Sequence, residues 1–145
     1  MVQDLKSPFG GVEDVRKRAA RDTCRHVTLT IENRMPNNRN WCCGWTVWYV
    51  FEDSSVETHN STALLCPGQT VAVVSDECIN EDGGLCCTAI AIEVRAVNGQ
   101  TLNRSFNAPA GTCWTGGPFV LAPKSFVARG ARDFADVAEI VGPTS

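Results

Sequence analysis

The sequence predicts a mainly β protein: a single disulfide-stapled antiparallel β-sandwich or barrel with short terminal helices. Three observations carry this. Six or seven short stretches alternate apolar and polar residues between turn residues, helical spacing is confined to the two ends, and eight cysteines are spread through only 145 residues. Alternation with period two marks half-buried strands, and several short strands separated by turns fit two packed sheets or a closed one. A chain of this length holds one core, so one domain is expected.

Taken in order, Val12, Val15 and Ala19 fall at helical spacing after Pro8-Phe9-Gly10-Gly11 and predict a short helix over Glu13 to Asp22. Residues 1–23 lack the apolar centre of a signal peptide. They are expected to be a propeptide or short helix ahead of a stapled β domain at 24–145. The triplet Arg16-Lys17-Arg18 stands just before the first cysteine. It reads as a dibasic processing site leaving Ala19 as the new N-terminus, or as a solvated helix face.

From His26 to Glu32, Val27, Leu29 and Ile31 share one face of a strand, and residues 35–40 form a loop. Trp45 to Phe51 is the strongest strand by its aromatic and β-branched content. It is apolar on both sides: Trp45, Val47, Tyr49 and Phe51 on one, Trp48 and Val50 on the other. Such a strand is central, or it offers one face to a partner. Glu52 to Leu65 reads as a loop, Thr70 to Val74 as a strand, and Asp76 to Gly84 as an acidic loop. Cys87 to Val97 and Gln100 to Phe106 flank Asn98-Gly99, a strong hairpin signal. Phe119 to Ala122 and Ser125 to Ala128 read as short strands interrupted by Pro123, and Arg132 to Val141 as a closing helix.

The cysteines are Cys24, Cys42, Cys43, Cys66, Cys78, Cys86, Cys87 and Cys113. Their number is even and no pair has the C-x-x-C spacing of a zinc or redox site, so all eight are expected in disulfides. Neighbours on a strand point to opposite faces, and the members of Cys42-Cys43 and of Cys86-Cys87 should therefore bridge different elements. Trp41-Cys42-Cys43 is also echoed by Leu85-Cys86-Cys87 before a second strong strand. Persistent disulfides imply a secreted, extracellular protein. Asn60-Ser61-Thr62 and Asn103-Arg104-Ser105 read as N-glycosylation acceptors, as in a secreted glycoprotein.

A net charge of −3 does not suit a nucleic-acid binder, which needs a basic face. No apolar run is long enough for a transmembrane helix. Only His26 and His59 offer imidazoles, and no nucleophile-elbow, zinc-protease, P-loop or dinucleotide motif occurs. The adjacent carboxylate pairs Glu52-Asp53, Asp76-Glu77 and Glu81-Asp82 diverge on a strand and suit a solvated surface better than general acid–base work. Asn80, Asp82 and Gly83 give only part of a calcium-loop spacing. No catalytic residue, metal or cofactor is therefore expected. The tryptophans carry more information: Trp41, Trp48 and Trp114 either pack over disulfides or form a ligand surface, since aromatic faces suit interfaces that are partly apolar and partly wet.

The order single, double, single, single, double, single cysteine over residues 24 to 113 resembles that of the fungal hydrophobins, with longer gaps at 25–41 and 88–112. That resemblance implies pairing among the eight cysteines and assembly at air–water interfaces. The run from Pro67-Gly68 through Asn98-Gly99 to Pro109 is loosely similar to aegerolysin-type lipid-binding sandwiches. A basic triplet ahead of a stapled β domain is similar to the layout of secreted fungal effectors and small toxins. The expected function is a secreted, non-enzymatic, effector-like or toxin-like binding protein meeting a glycan, lipid or protein at a host or cell surface, with self-association open. The alternatives are a self-assembling surface-active or structural protein and a small secreted hydrolase.

Overall fold

The structure, a computed structural model, describes residues 25–79 and 85–143. The segment 1–23 with Arg16, Lys17 and Arg18, together with Cys24 and residues 80–84 of the acidic loop, lies outside the described residues.

The strands are β1 (Arg25–Asn33), β2 (Cys43–Phe51), β3 (Val56–Asn60), β4 (Thr70–Ile79), β5 (Cys87–Ala96), β6 (Thr101–Asn107), β7 (Gly116–Pro123) and β8 (Ala138–Val141), with the one-turn helix α1 (Phe134–Val137) before the last. They form two four-stranded sheets, ordered β4-β1-β7-β8 and β3-β2-β5-β6. Leu29, Ile31, Phe119 and Leu121 of the first sheet and Val47, Tyr49, Ile90 and Ile92 of the second belong to one buried cluster. The fold is sandwich-like, because period-two alternation gives each sheet one apolar face and the two faces cover each other.

Several sequence expectations are corrected. The sheets are not wholly antiparallel: β1 and β7 run parallel, with Thr28 opposite Gly116 and Asn33 opposite Leu121. A parallel neighbour cannot be reached by a hairpin, and this one is reached only after the chain has built the other sheet. Residues 56–60, read as loop, form the edge strand β3, whose Val56, Thr58 and Asn60 face solvent and carry no apolar alternation to betray it. β4 continues through Asp76 to Ile79 because Arg25 and His26 of β1 pair with Ile79 and Cys78. Residues 125–128 are an exposed loop. The closing helix is a single turn, after which Ala138 and Ile140 point inward from β8.

The two disulfides among the described residues are Cys42–Cys66 and Cys86–Cys113, and Cys78 is also disulfide-bonded. Cys43 and Cys87 are buried free thiols, against the expectation that all eight cysteines are paired. The cause is strand alternation: the second cysteine of each doublet points into the core. The β2–β5 ladder places Cys43 opposite Ala96 and Cys87 opposite Phe51, at its two ends, so these two thiols cannot meet. Burial pushes both thiols up, to about 11.

The echo between the cysteine doublets extends to the architecture. A doublet opens β2 and another opens β5; each strand turns back into an edge strand, β3 or β6, and reaches a closing cysteine, Cys66 or Cys113. The next strands, β4 and β7, flank β1 on its two sides. Chain direction alternates from strand to strand, so the even-numbered strands begin, and the odd-numbered ones finish, at one end of the sandwich, marked by Cys42–Cys66. Buried Asn33 ties the connections there: its amide donates to the carbonyls of Trp41 and Leu65, both at 2.9 Å, and its Oδ1 accepts from Met35 N–H at 3.0 Å. The Cys86–Cys113 bond marks the opposite end.

Candidate functional site

The outer face of β3-β2-β5-β6 is set by registers that place Trp48 beside Thr58 of β3 and Ala91 of β5, with Ser105 of β6 beyond Ala91. These three neighbours are small, and Trp48 is left half-buried at the middle of the sheet while Trp45, of opposite parity, is buried in the core. The next row across the same face is Asn60, Thr46, Glu93 and Asn103. Thr46 Oγ1 donates to Asn60 Oδ1 at 2.9 Å, and Arg95 Nη1 donates to Thr46 Oγ1 at 3.2 Å and pairs with Glu93 Oε1 at 3.0 Å. One aromatic surface thus stands beside a comb of donors and acceptors already held in place by each other.

The C-terminal helix does not cover Trp48: α1 packs Phe134 into the core and against Trp41, ring centroids 5.9 Å apart. Trp41 is thereby engaged at the Cys42 end. Trp114 lies just before β7 at the other end, its Nε1 donating to Phe106 O at 3.3 Å and its ring tilted against Phe119. The three tryptophans do not share a surface. Asn60 and Asn103, the two glycosylation acceptors, do share one, standing exposed on the two edge strands of the Trp48 face.

A second cluster lies where the edges of the two sheets meet. The bulge opposite His26 and Thr28 turns the N–H groups of Asp76 and Glu77 outward from β4, and the Glu57 carboxylate of β3 accepts both, at 2.7 and 2.9 Å. Its Oε2 also pairs with His59 Nε2. Burial pushes the Glu57 carboxyl up, but the His59 contact and the two main-chain donors outweigh it and hold the group below the usual carboxylate range. Ser75, inside the bulge, accepts from Val27 N–H at 2.9 Å and donates to Glu77 O at 2.6 Å. The ligand atoms of Glu57, His59 and Asp76 lie within 4.8 Å of one another, a set that suits a transition metal ion. Both oxygens of Glu57 are nonetheless spent on latching the sheets together. Glu57 was not singled out from the sequence. Glu57-x-His59 is the signal, since residues two apart on a strand share a face.

Comparison of the chain with known protein families, curated proteins and solved structures finds no match. The site stands on its own geometry.

Proposed function

We propose that this protein is a secreted, extracellular binding protein, effector-like or toxin-like and not an enzyme, whose ligand is a cell-surface glycan held on the outer face of β3-β2-β5-β6. The observation that supports this is Trp48 at the middle of the outer sheet face, beside the small side chains of Thr58 and Ala91 and bordered by the Thr46, Asn60, Glu93 and Arg95 network. A sugar ring offers an apolar C–H face to an aromatic ring and hydroxyls around its rim, so it needs a stacking platform with polar groups at the side. The extracellular reading draws on the two disulfides, and among the described residues no helix is long and apolar enough to cross a membrane. N-glycans at Asn60 and Asn103 would rise from both edges of this face and fence the ligand into its two central strands.

A glycan array probed with the oxidised, deglycosylated protein and with Trp48→Ala tests this. Loss of binding with stability within about 1 kcal/mol of the parent supports the site. Retained binding overturns it, as does destabilisation of about 3–5 kcal/mol, the cost of a core tryptophan. The Glu57–His59 pair favours the hydrolase alternative, and a hydrolase screen with Glu57→Gln as control decides that reading.

A further inference from the structure

The Cys42 end of the sandwich differs from the rest of the surface in two ways at once. Exposed apolar side chains stand on three separate connections there: Leu64 between β3 and β4, Val97 in the β5–β6 hairpin, and Phe126 with Val127 between β7 and α1. Phe126 is 84% exposed, more than any other exposed large apolar side chain among the described residues. The Phe126 connection also carries Lys124, Arg129 and Arg132, none of which is ion-paired among the described residues. The acidic groups Glu52, Asp53, Asp76 and Glu77 gather at the opposite end. In a chain of net charge −3 the connection 124–133 thus carries an excess of two positive charges, three cations against Asp133, with Asp136 following in α1.

The Phe126 connection is held at its base. Lys124 N–H donates to Val137 O at 2.9 Å where the β7–β8 ladder stops, and the Gln100 side chain grips both Asp133 and Phe134 N–H, at 3.1 and 2.7 Å. A turn from Ala128 to Ala131 closes its tip, with Gly130 at φ +84°, the left-handed value that favours glycine. The fold therefore pins a projecting aromatic residue among cations, and none of those cations is ion-paired among the described residues.

We infer that this end docks on an anionic lipid bilayer, Phe126 entering the interface while Lys124, Arg129 and Arg132 meet the headgroups. Charge complementarity selects the partner's sign. The apolar residues on three separate connections select its kind: a bilayer offers an apolar layer behind its charged surface, and both contribute to interfacial binding. This surface shares no residue with the Trp48 face, so the two readings stand or fall separately.

The test is co-sedimentation of the oxidised protein with sugar-free vesicles of phosphatidylcholine alone or mixed with phosphatidylserine, at low and high salt. The parent should bind only the mixed vesicles and lose that binding at high salt. Lys124→Ala and Arg129→Ala should each weaken it about fivefold. Phe126→Ser should weaken it about ten- to a hundredfold, the share of a buried aromatic side chain, while melting like the parent. No binding to mixed vesicles at low salt, equal binding to both compositions, or unchanged binding by Phe126→Ser overturns the proposal. So does retention on heparin that Phe126→Ser leaves intact in the absence of vesicle binding, which would make this end a site for acidic polymers.

Discussion

At the scale of single residues, three buried or half-buried polar groups do what apolar packing cannot: they fix where one connection sits relative to another. Asn33 gathers the connections of the Cys42 end and Ser75 fills the β4 bulge, each with its hydrogen-bonding capacity used. Glu57 latches one sheet edge to the other, and its lowered carboxyl makes that latch sensitive to acid. A carboxyl held lower in the folded than in the unfolded chain contributes stability that is fully present above the unfolded value, about 4.3, and is lost as pH falls through the folded one. Thermal melts should show Glu57→Gln less stable than the parent by about 1–3 kcal/mol at neutral pH, with the gap closing as the pH is lowered below about 4. A gap that stays constant with pH would mean the carboxylate charge is not what latches the edges. The latching roles were not legible in the sequence, because the partners that decide them, Trp41 and Leu65 for Asn33, Asp76 and Glu77 for Glu57 and Val27 for Ser75, lie 8 to 48 positions away.

At the scale of elements, strands were legible where one or both faces are apolar. β1, β2, β5 and β6 sit within a residue or two of their expected bounds. β3 escaped because it is an edge strand with polar side chains, and β8 because Phe134 and Val137 at helical spacing run straight into Ala138 and Ile140 at strand spacing. The parallel β1–β7 contact depends on a residue whose role only the pairing reveals. Gly116 has φ +146°, and a Cβ there would overlap the Thr28 carbonyl oxygen across the ladder. Gly116→Ala should therefore cost about 2–4 kcal/mol from strain and overlap together, measured by chemical denaturation. A cost below about 0.5 kcal/mol, ordinary for a surface change, would mean that β7 does not approach β1 this closely.

At the scale of the whole molecule, each of the two cysteine-doublet arms supplies one staple, and the two lie at opposite ends of the sandwich. Closing loops of 24 and 27 residues contributes about 3 kcal/mol apiece in the chain-entropy account, so opening either bond should be felt at its own end. The free thiols give the complementary measurement. Cys43 and Cys87, buried and shifted up to about 11, should resist a thiol reagent in the native unreduced protein and both react once denaturant is added. Reaction in the native state, or none in the unfolded one, would contradict their placement. The sequence predicted the doublets as staples but not that each supplies only one sulfur to a bond, since pairing depends on which face of a strand meets solvent, and that is a property of the assembled sheets.

The doublets also govern how the chain must be oxidised. Cys42 and Cys43 are equivalent to an oxidant in the unfolded chain, yet once β2 forms Cys43 belongs to the core cluster as a free thiol and Cys42, just ahead of the strand, holds the bond to Cys66. Closing the ring to Cys66 through the wrong neighbour shifts the strand by one residue, and a shift of one residue exchanges its faces. Trp48, Thr46 and Val50 would then turn toward the core, and Tyr49, Val47 and Trp45 toward water. The same choice recurs at Cys86 and Cys87, so four isomers differing by single sulfur exchanges compete during biogenesis, and only one of them has both central strands facing the right way.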